Sequence, residues 1–108
     1  MTDYDAGVDK VIEMMKSDYI TWSNDALKSN DDFVMNYERE DGRNYTKLIQ
    51  VGRGGSRSVA GFIVLKDTKK FRKGDMLKSA SWKSPATNFA RGNVLDNLPK
   101  TVRWTGIS

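Results

Sequence analysis

Three stretches of the chain hold residue types that could do chemistry. The first, Gly52-Arg53-Gly54-Gly55-Ser56-Arg57, joins glycines to arginines. Exposed backbone N–H groups and guanidinium groups both attract phosphate. Its spacing matches neither a mononucleotide loop, Gly-x-x-x-x-Gly-Lys-Ser/Thr, nor a dinucleotide loop entering a helix. The reading is therefore a hairpin turn that could touch a phosphate through Arg53 and Arg57. In the second stretch, Lys66, Lys69, Lys70, Arg72 and Lys73 crowd around Phe71. Such a run is either a solvated loop or a source of salt-dependent attraction to nucleic acid, with Phe71 as a stacking residue.

The third stretch, Gly74 to Val94, is the most distinctive. Ser79, Ser81, Ser84 and Thr87 sit with Lys78, Trp82, Lys83 and Arg91 around Pro85. Hydroxyls, cations and the backbone amides of a helix start together favour an anion. The candidate nucleic-acid-binding residues are Arg57, Lys78, Trp82, Lys83, Arg91 and Asn93. Lysine and arginine would neutralise phosphates, Trp82 would stack on a base and Asn93 would orient it through its amide. The competing reading has Trp82 and Phe89 closing the core and Asn93 tying down a turn.

Other chemistries lack their residues. The chain has no histidine and no cysteine. Disulfides, cysteine nucleophiles and imidazole acid–base catalysis are thus excluded, and zinc, iron–sulfur and haem sites lose their usual ligands. Asp31-Asp32 and Asp41 lack the spacing of a calcium loop. Asp75 with Lys78, or Ser81 with Lys83, could be drawn as a catalytic pair, but solvated surface residues are the simpler account. The expectation is a protein that is not an enzyme and needs no cofactor or metal.

The elements that must position these residues follow from periodicity. The chain has 108 residues, 38% of them hydrophobic, with three Trp, four Tyr and four Phe. That is one domain, residues 1–108, able to bury roughly 65% of its unfolded surface. Val8, Ile12, Met15, Tyr19 and Trp22 recur at steps of 4, 3, 4 and 3, one face of an amphipathic helix over about residues 5–28. These five are expected to be buried.

Phe33, Met35 and Tyr37 alternate with polar or smaller residues, as in a strand. Asp41-Gly42 reads as a hairpin turn whose residues tolerate positive φ. Tyr45 to Val51 is the return strand, Ser58 to Lys66 the third and Asp75 to Trp82 the fourth. Ser84-Pro85 resembles a helix start, with Gly92 as its stop. Thr101 to Trp104 has strand composition and suits a sheet edge. The fold class is α+β: an N-terminal helix packed on an antiparallel sheet of about four strands, with a short helical turn near the C-terminus.

Charge is strongly polarised along the chain. Residues 1–42 hold 11 acidic and 4 basic side chains, and residues 43–108 hold 3 acidic and 14 basic ones. The net charge of +4 conceals this split. It predicts an acidic helix and a basic sheet edge and loops. The N-terminus is acidic and unlike a signal peptide, and the longest apolar run, Val59 to Leu65, is far shorter than the ~20 residues of a membrane helix. A soluble cytoplasmic protein is expected.

Part of the chain carries a resemblance. Arg57-Ser58-Val59, Gly61-Phe62-Ile63, Gly74-Asp75-Met76-Leu77-Lys78-Ser79-Ala80-Ser81-Trp82-Lys83-Ser84-Pro85-Ala86 and Ala90-Arg91-Gly92-Asn93-Val94 resemble small uncharacterised proteins encoded by tailed bacteriophages. Gly42-Arg43-Asn44-Tyr45-Thr46-Lys47-Leu48-Ile49 is similar to their upstream strand. The resemblance implies a viral origin and action in a host cytoplasm, and brings no activity with it. Charge and resemblance together lead to a non-catalytic phage accessory protein with weak, mainly electrostatic nucleic-acid binding, to single strands or without sequence preference. The alternative is a protein-interaction module, an inhibitor or adaptor of a host or phage enzyme, because an acidic helix could dock a basic partner.

Overall fold

A computed structural model describes residues 3–26, 35–87, 90–95, 102–103 and 106–107. Helix α1 (Asp3–Ala26) opens with Asp3 and Asp5 in its first turn, where carboxylates favour the helix dipole. Strands β1 (Asn36–Asp41), β2 (Tyr45–Val51), β3 (Arg57–Val64) and β4 (Met76–Leu77) form one antiparallel sheet in the order β1-β2-β3-β4. Among the described residues, strands β5 (Val102–Arg103) and β6 (Gly106–Ile107) pair with each other in a separate hairpin. The α+β architecture expected from the sequence is the observed one.

Helix α1 packs through Tyr4, Val8, Val11, Met15 and Tyr19, all buried, against Met35, Tyr37, Leu48, Ile63 and Met76. Tyr4 and Val11 belong to this stripe although the expected set omitted them, and Ile12 is only partly buried. Trp22 was expected in the core but is 39% exposed, resting on the Tyr19 ring at 5.9 Å. Its angular position suits the stripe. Helix α1 is longer than the strands described beneath it: its 24 residues span about 36 Å, and the eight of β3 about 26 Å.

The N-terminal end of the helix is locked to the β1–β2 hairpin by a closed polar chain. Tyr4 Oη donates to Thr46 Oγ1 at 2.6 Å, and Thr46 Oγ1 donates to Asp41 Oδ1 at 2.9 Å. Arg39 holds Asp41 through Nε at 2.9 Å and Nη2 at 3.1 Å, and reaches Asp5 at 2.7 Å. The Arg39 hydrogen bonds hold the Asp41 carboxyl below its ordinary range, and Asp41 and Asp5 hold Arg39 protonated. Burial pushes the phenols of Tyr4 and Tyr37 up.

A bulge in β3 leaves Ala60 without a partner, since Leu48 faces Gly61 and Ile49 faces Val59. The C-terminal hairpin uses this irregularity. A Cβ on Gly61 would come within 2.7 Å of the Ile107 side chain, and one on Gly106, at φ +129°, would meet the Ala60 carbonyl. Ile107 thus fills the space Gly61 leaves and joins the helix-side core. β5 takes up the strand expected at 101–104 within this separate hairpin and not on an edge of the main sheet.

Several boundaries differ from expectation. β1 begins at Asn36, and Phe33 lies outside the described residues, as do Leu27, Phe89 and Trp104. The hairpin turn closes through Gly42 N–H donating to the Tyr45 carbonyl at 2.8 Å, without the positive φ expected at Gly42. The fourth strand is two residues long, because the chain turns back at once: Ala80 and Ser81 N–H both donate to the Ser84 carbonyl. No helical turn starts at Ser84-Pro85. Pro85 instead bridges to Ser79, and Ala86 N–H donates to the Lys78 carbonyl at 2.7 Å.

Met15→Ala is expected to cost about 2–5 kcal/mol and Trp22→Ala roughly 1 kcal/mol or less, as read by chemical denaturation. Stability should also depend on pH at both extremes. Asp41 is ionised more readily folded than unfolded, so its contribution is complete above the unfolded carboxylate value near ~4 and lost as the pH falls through its lower folded value. Asp41→Asn should flatten that acid limb. Above pH ~10 the unfolded chain releases phenolic protons that folded Tyr4 and Tyr37 retain, so stability should fall. Unfolding curves from pH 2 to 11, on the order of one per unit, check both limbs.

Candidate nucleic-acid interface

The sheet has two unlike faces. α1 and the C-terminal hairpin cover one. The other carries a small cluster of Phe62, Val64, Phe71 and Leu77, with Tyr45 and Val59 against it. Strand alternation explains the division: Thr46 and Leu48 point to the helix, Tyr45 and Lys47 away from it.

The structure distributes the six expected site residues. Arg57 is exposed and ion-paired to Glu38 at 3.1 Å. It lies five positions along β3 from Phe62, roughly 16 Å away. Lys78 is exposed directly after β4. Arg91 is half-buried, its backbone N–H donating to the Met76 carbonyl at 2.7 Å.

Asn93 is buried and its amide is fully engaged. Nδ2 donates to the Lys73 carbonyl at 3.0 Å and to Asp75 Oδ1 at 2.9 Å, and Oδ1 accepts from Leu95 N–H at 2.7 Å. Gly74, at φ +93°, is needed beside it, since a Cβ there would lie 2.7 Å from Asn93 Oδ1. This is the turn-tying role, and it spends both Nδ2 hydrogens. Trp82 and Lys83 are neighbours at the tip of the closed loop 78–86, whose base is Lys78, and Trp82 is 43% exposed.

Backbone amides of the other two stretches are engaged in local turns. In the Gly52–Ser56 turn, Gly52 N–H donates to the Ser56 carbonyl and Gly55 N–H to the Gly52 carbonyl. Gly54 and Gly55 adopt the positive φ this turn demands. In the basic loop, Phe71 and Lys70 N–H donate to Thr68 Oγ1, Arg72 N–H to Asp75 and Lys73 N–H to Asp67. Phe71 itself is buried beneath the sheet face and is not available for stacking. The loop's lysines remain exposed around it.

What sequence reasoning missed is a cleft on the helix-free face beside the β1–β2 turn. It holds about 320 Å³ and is lined by Glu40, Arg43, Tyr45, Lys47, Phe62 and Lys83 among others. The Lys47 ammonium sits 4.5 Å from the Trp82 ring centroid, tying the 78–86 loop to β2. Tyr45 meets Phe62 edge to face at 6.1 Å. Tyr45 and Lys47 are two apart on one strand, so alternation alone places them on the same face. That was the available signal. Among the described residues no group of carboxylates is arranged to hold a metal ion, and no helix is long and apolar enough to cross a membrane.

A family model matches residues 4–106. The chain belongs to DUF7717, a family of unknown function. Neither a curated protein nor a solved structure matches it. The family match takes in α1 and the paired part of the C-terminal hairpin up to Gly106, and so extends to elements that the resemblance in the sequence left out. For this DUF7717 chain, Asn93→Ala is expected to cost about 1–3 kcal/mol by stranding its buried partners, read by thermal or chemical unfolding.

Proposed function

We propose that the chain is a non-catalytic accessory protein of tailed-phage origin that binds nucleic acid weakly and mainly through charge in the host cytoplasm. The observation that supports this reading is the rim of exposed cations around the sheet face that the helix leaves open. Lys66, Lys69 and Lys70 stand on the loop anchored there by Phe71, with Lys78 and Lys83 on the neighbouring loop. The exposed carboxylates of α1, Asp3, Asp9 and Glu13, lie on the helix across the sheet. The perturbed groups Tyr4, Tyr37, Arg39 and Asp41 serve the helix–sheet contact, which favours a binding module over an enzyme.

A second reading, a protein-interaction module, draws on Ile20 and Trp22, which are 47% and 39% exposed on the last turns of the helix. It would place the contact on the opposite layer, so the two readings separate by mutation.

The test is fluorescence anisotropy with labelled single-stranded and duplex oligonucleotides across a salt series. Binding should weaken steeply with salt. Lys69→Ala, Lys70→Ala and Lys78→Ala together should reduce the slope of log K against log salt by about 2 on a single strand and nearer ~3 on duplex, if each contacts one phosphate. Thermal stability should hardly change. Absence of binding to either form at low salt would reject this function and favour the protein partner.

A further inference from the structure

We infer that the cleft beside the β1–β2 turn takes one nucleotide of a single-stranded nucleic acid, its base against Tyr45, its phosphates held by Arg43, Lys47 and Lys83, and a neighbouring base on Trp82. This rests on the nucleic-acid reading above and specifies where and in what form the strand is held.

The composition of the cleft supports both halves of a nucleotide. Three cations and one carboxylate line it, so a phosphate is attracted on balance. Glu40 faces Lys47 across the β1–β2 ladder and repels phosphate from the β1 side, which directs the backbone toward Arg43 and Lys83. The aromatic part is fixed in place. Phe62 is fully packed, and Tyr45, half-buried against it, retains accessible surface. Base–aromatic stacking needs a base whose face is free, which a duplex does not offer.

Size and position agree with that ligand. A volume of about 320 Å³ lies at the small end of ligand clefts, which start near ~300 Å³. Trp82 lies outside the lining but adjoins it through Lys47, and its neighbour Lys83 lines the cleft. A strand leaving the cleft therefore meets the exposed indole next. Both aromatics are held in advance: Tyr45 by a central strand, Trp82 by a loop closed through the Ala80, Ser81 and Ala86 backbone bonds. Little ordering is left for binding to impose.

The experiment compares a 12-residue oligothymidylate (about eight nucleotides beyond a minimal site) with a duplex of equal length, using the whole chain. Wild type should bind the single strand more tightly and show quenched tryptophan fluorescence, and Trp82→Phe should abolish the quenching while keeping most of the affinity. Trp82→Ala and Tyr45→Leu should each weaken single-strand binding about tenfold and leave duplex binding within about twofold. Trp82 is exposed, so its variant tests the idea even if Tyr45→Leu proves unstable. Wild-type single-strand affinity in Trp82→Ala and in folded Tyr45→Leu, with the lysine-rim variant still impaired, would overturn the cleft and leave general electrostatic binding standing. Equal affinity for duplex and single strand, lost equally in every variant, would do the same. No binding of either oligonucleotide at low salt would overturn both.

Discussion

The Tyr4 hydroxyl, buried between helix and sheet, constrains most of the architecture. A buried hydroxyl must find an acceptor, and here the direction of every bond in the chain is forced. Ionised Asp41 can only accept, so Thr46 must donate to it, and Tyr4 must then donate to Thr46. Arg39 completes the circuit by joining Asp41 to Asp5 on the first turn of the helix. The network fixes both the rotation of α1 and its position along the strands, because its members come from the helix and both arms of the hairpin; the Tyr4 proton goes to Thr46, and the Ile63 carbonyl lies 3.3 Å from the same oxygen. With the helix committed to one face, the opposite face is left to loops.

Those loops are held by backbone and buried polar bonds more than by apolar mass. Asn93 ties Lys73 to Asp75, and Asp75 N–H and carbonyl bind Arg72 and Val64. Charged side chains can therefore remain on the surface while the peptide groups beneath them are satisfied. This separation of roles matters for a binding surface. Cations used to hold the fold would already be neutralised, as Arg39 and Arg57 are, whereas Lys47 and Lys83 line the cleft, with the Lys47 ammonium lying over the Trp82 ring.

The general plan was legible in the sequence because periodicity reports facing. Steps of three and four identified α1, and the Asp41-Gly42 turn signal identified its return strand, β2, over its whole length. Where a face meets its partner is not encoded in that period. Trp22 has the right angle on the helix and is nonetheless 39% exposed, and the fourth strand stops after Leu77 because the chain turns back through 80–84. The candidate site was less legible. Basic residues, tryptophan and asparagine clustered in one stretch, but clustering in sequence does not distinguish a buried Asn93 from an exposed Lys83. The residues that form the cleft come from the turn after β1, from β2 and from the 78–86 loop. Arg43, Tyr45 and Lys47 read locally as an ordinary hairpin arm, and only the pairing of Lys47 with Phe62 across β2 and β3 shows what surrounds them.

The charge split has its physical consequence in this layered arrangement. The exposed carboxylates of α1 lie on the outer side of the helix, so both layers separate them from the cleft, by on the order of 20 Å. The Debye length at physiological salt is about 8 Å, so the acidic layer barely weakens attraction at the open face. At ~0.01 M salt the screening length reaches about 30 Å, and both layers are felt at once. A polyanion is then attracted to one side and repelled from the other, which orients the encounter. On the proposed reading, the salt response within the cleft is governed by the few cations that would contact phosphate, and not by the net charge of +4. A molecule of small net charge would in this way hold a nucleic-acid strand on one face and keep the other free of it.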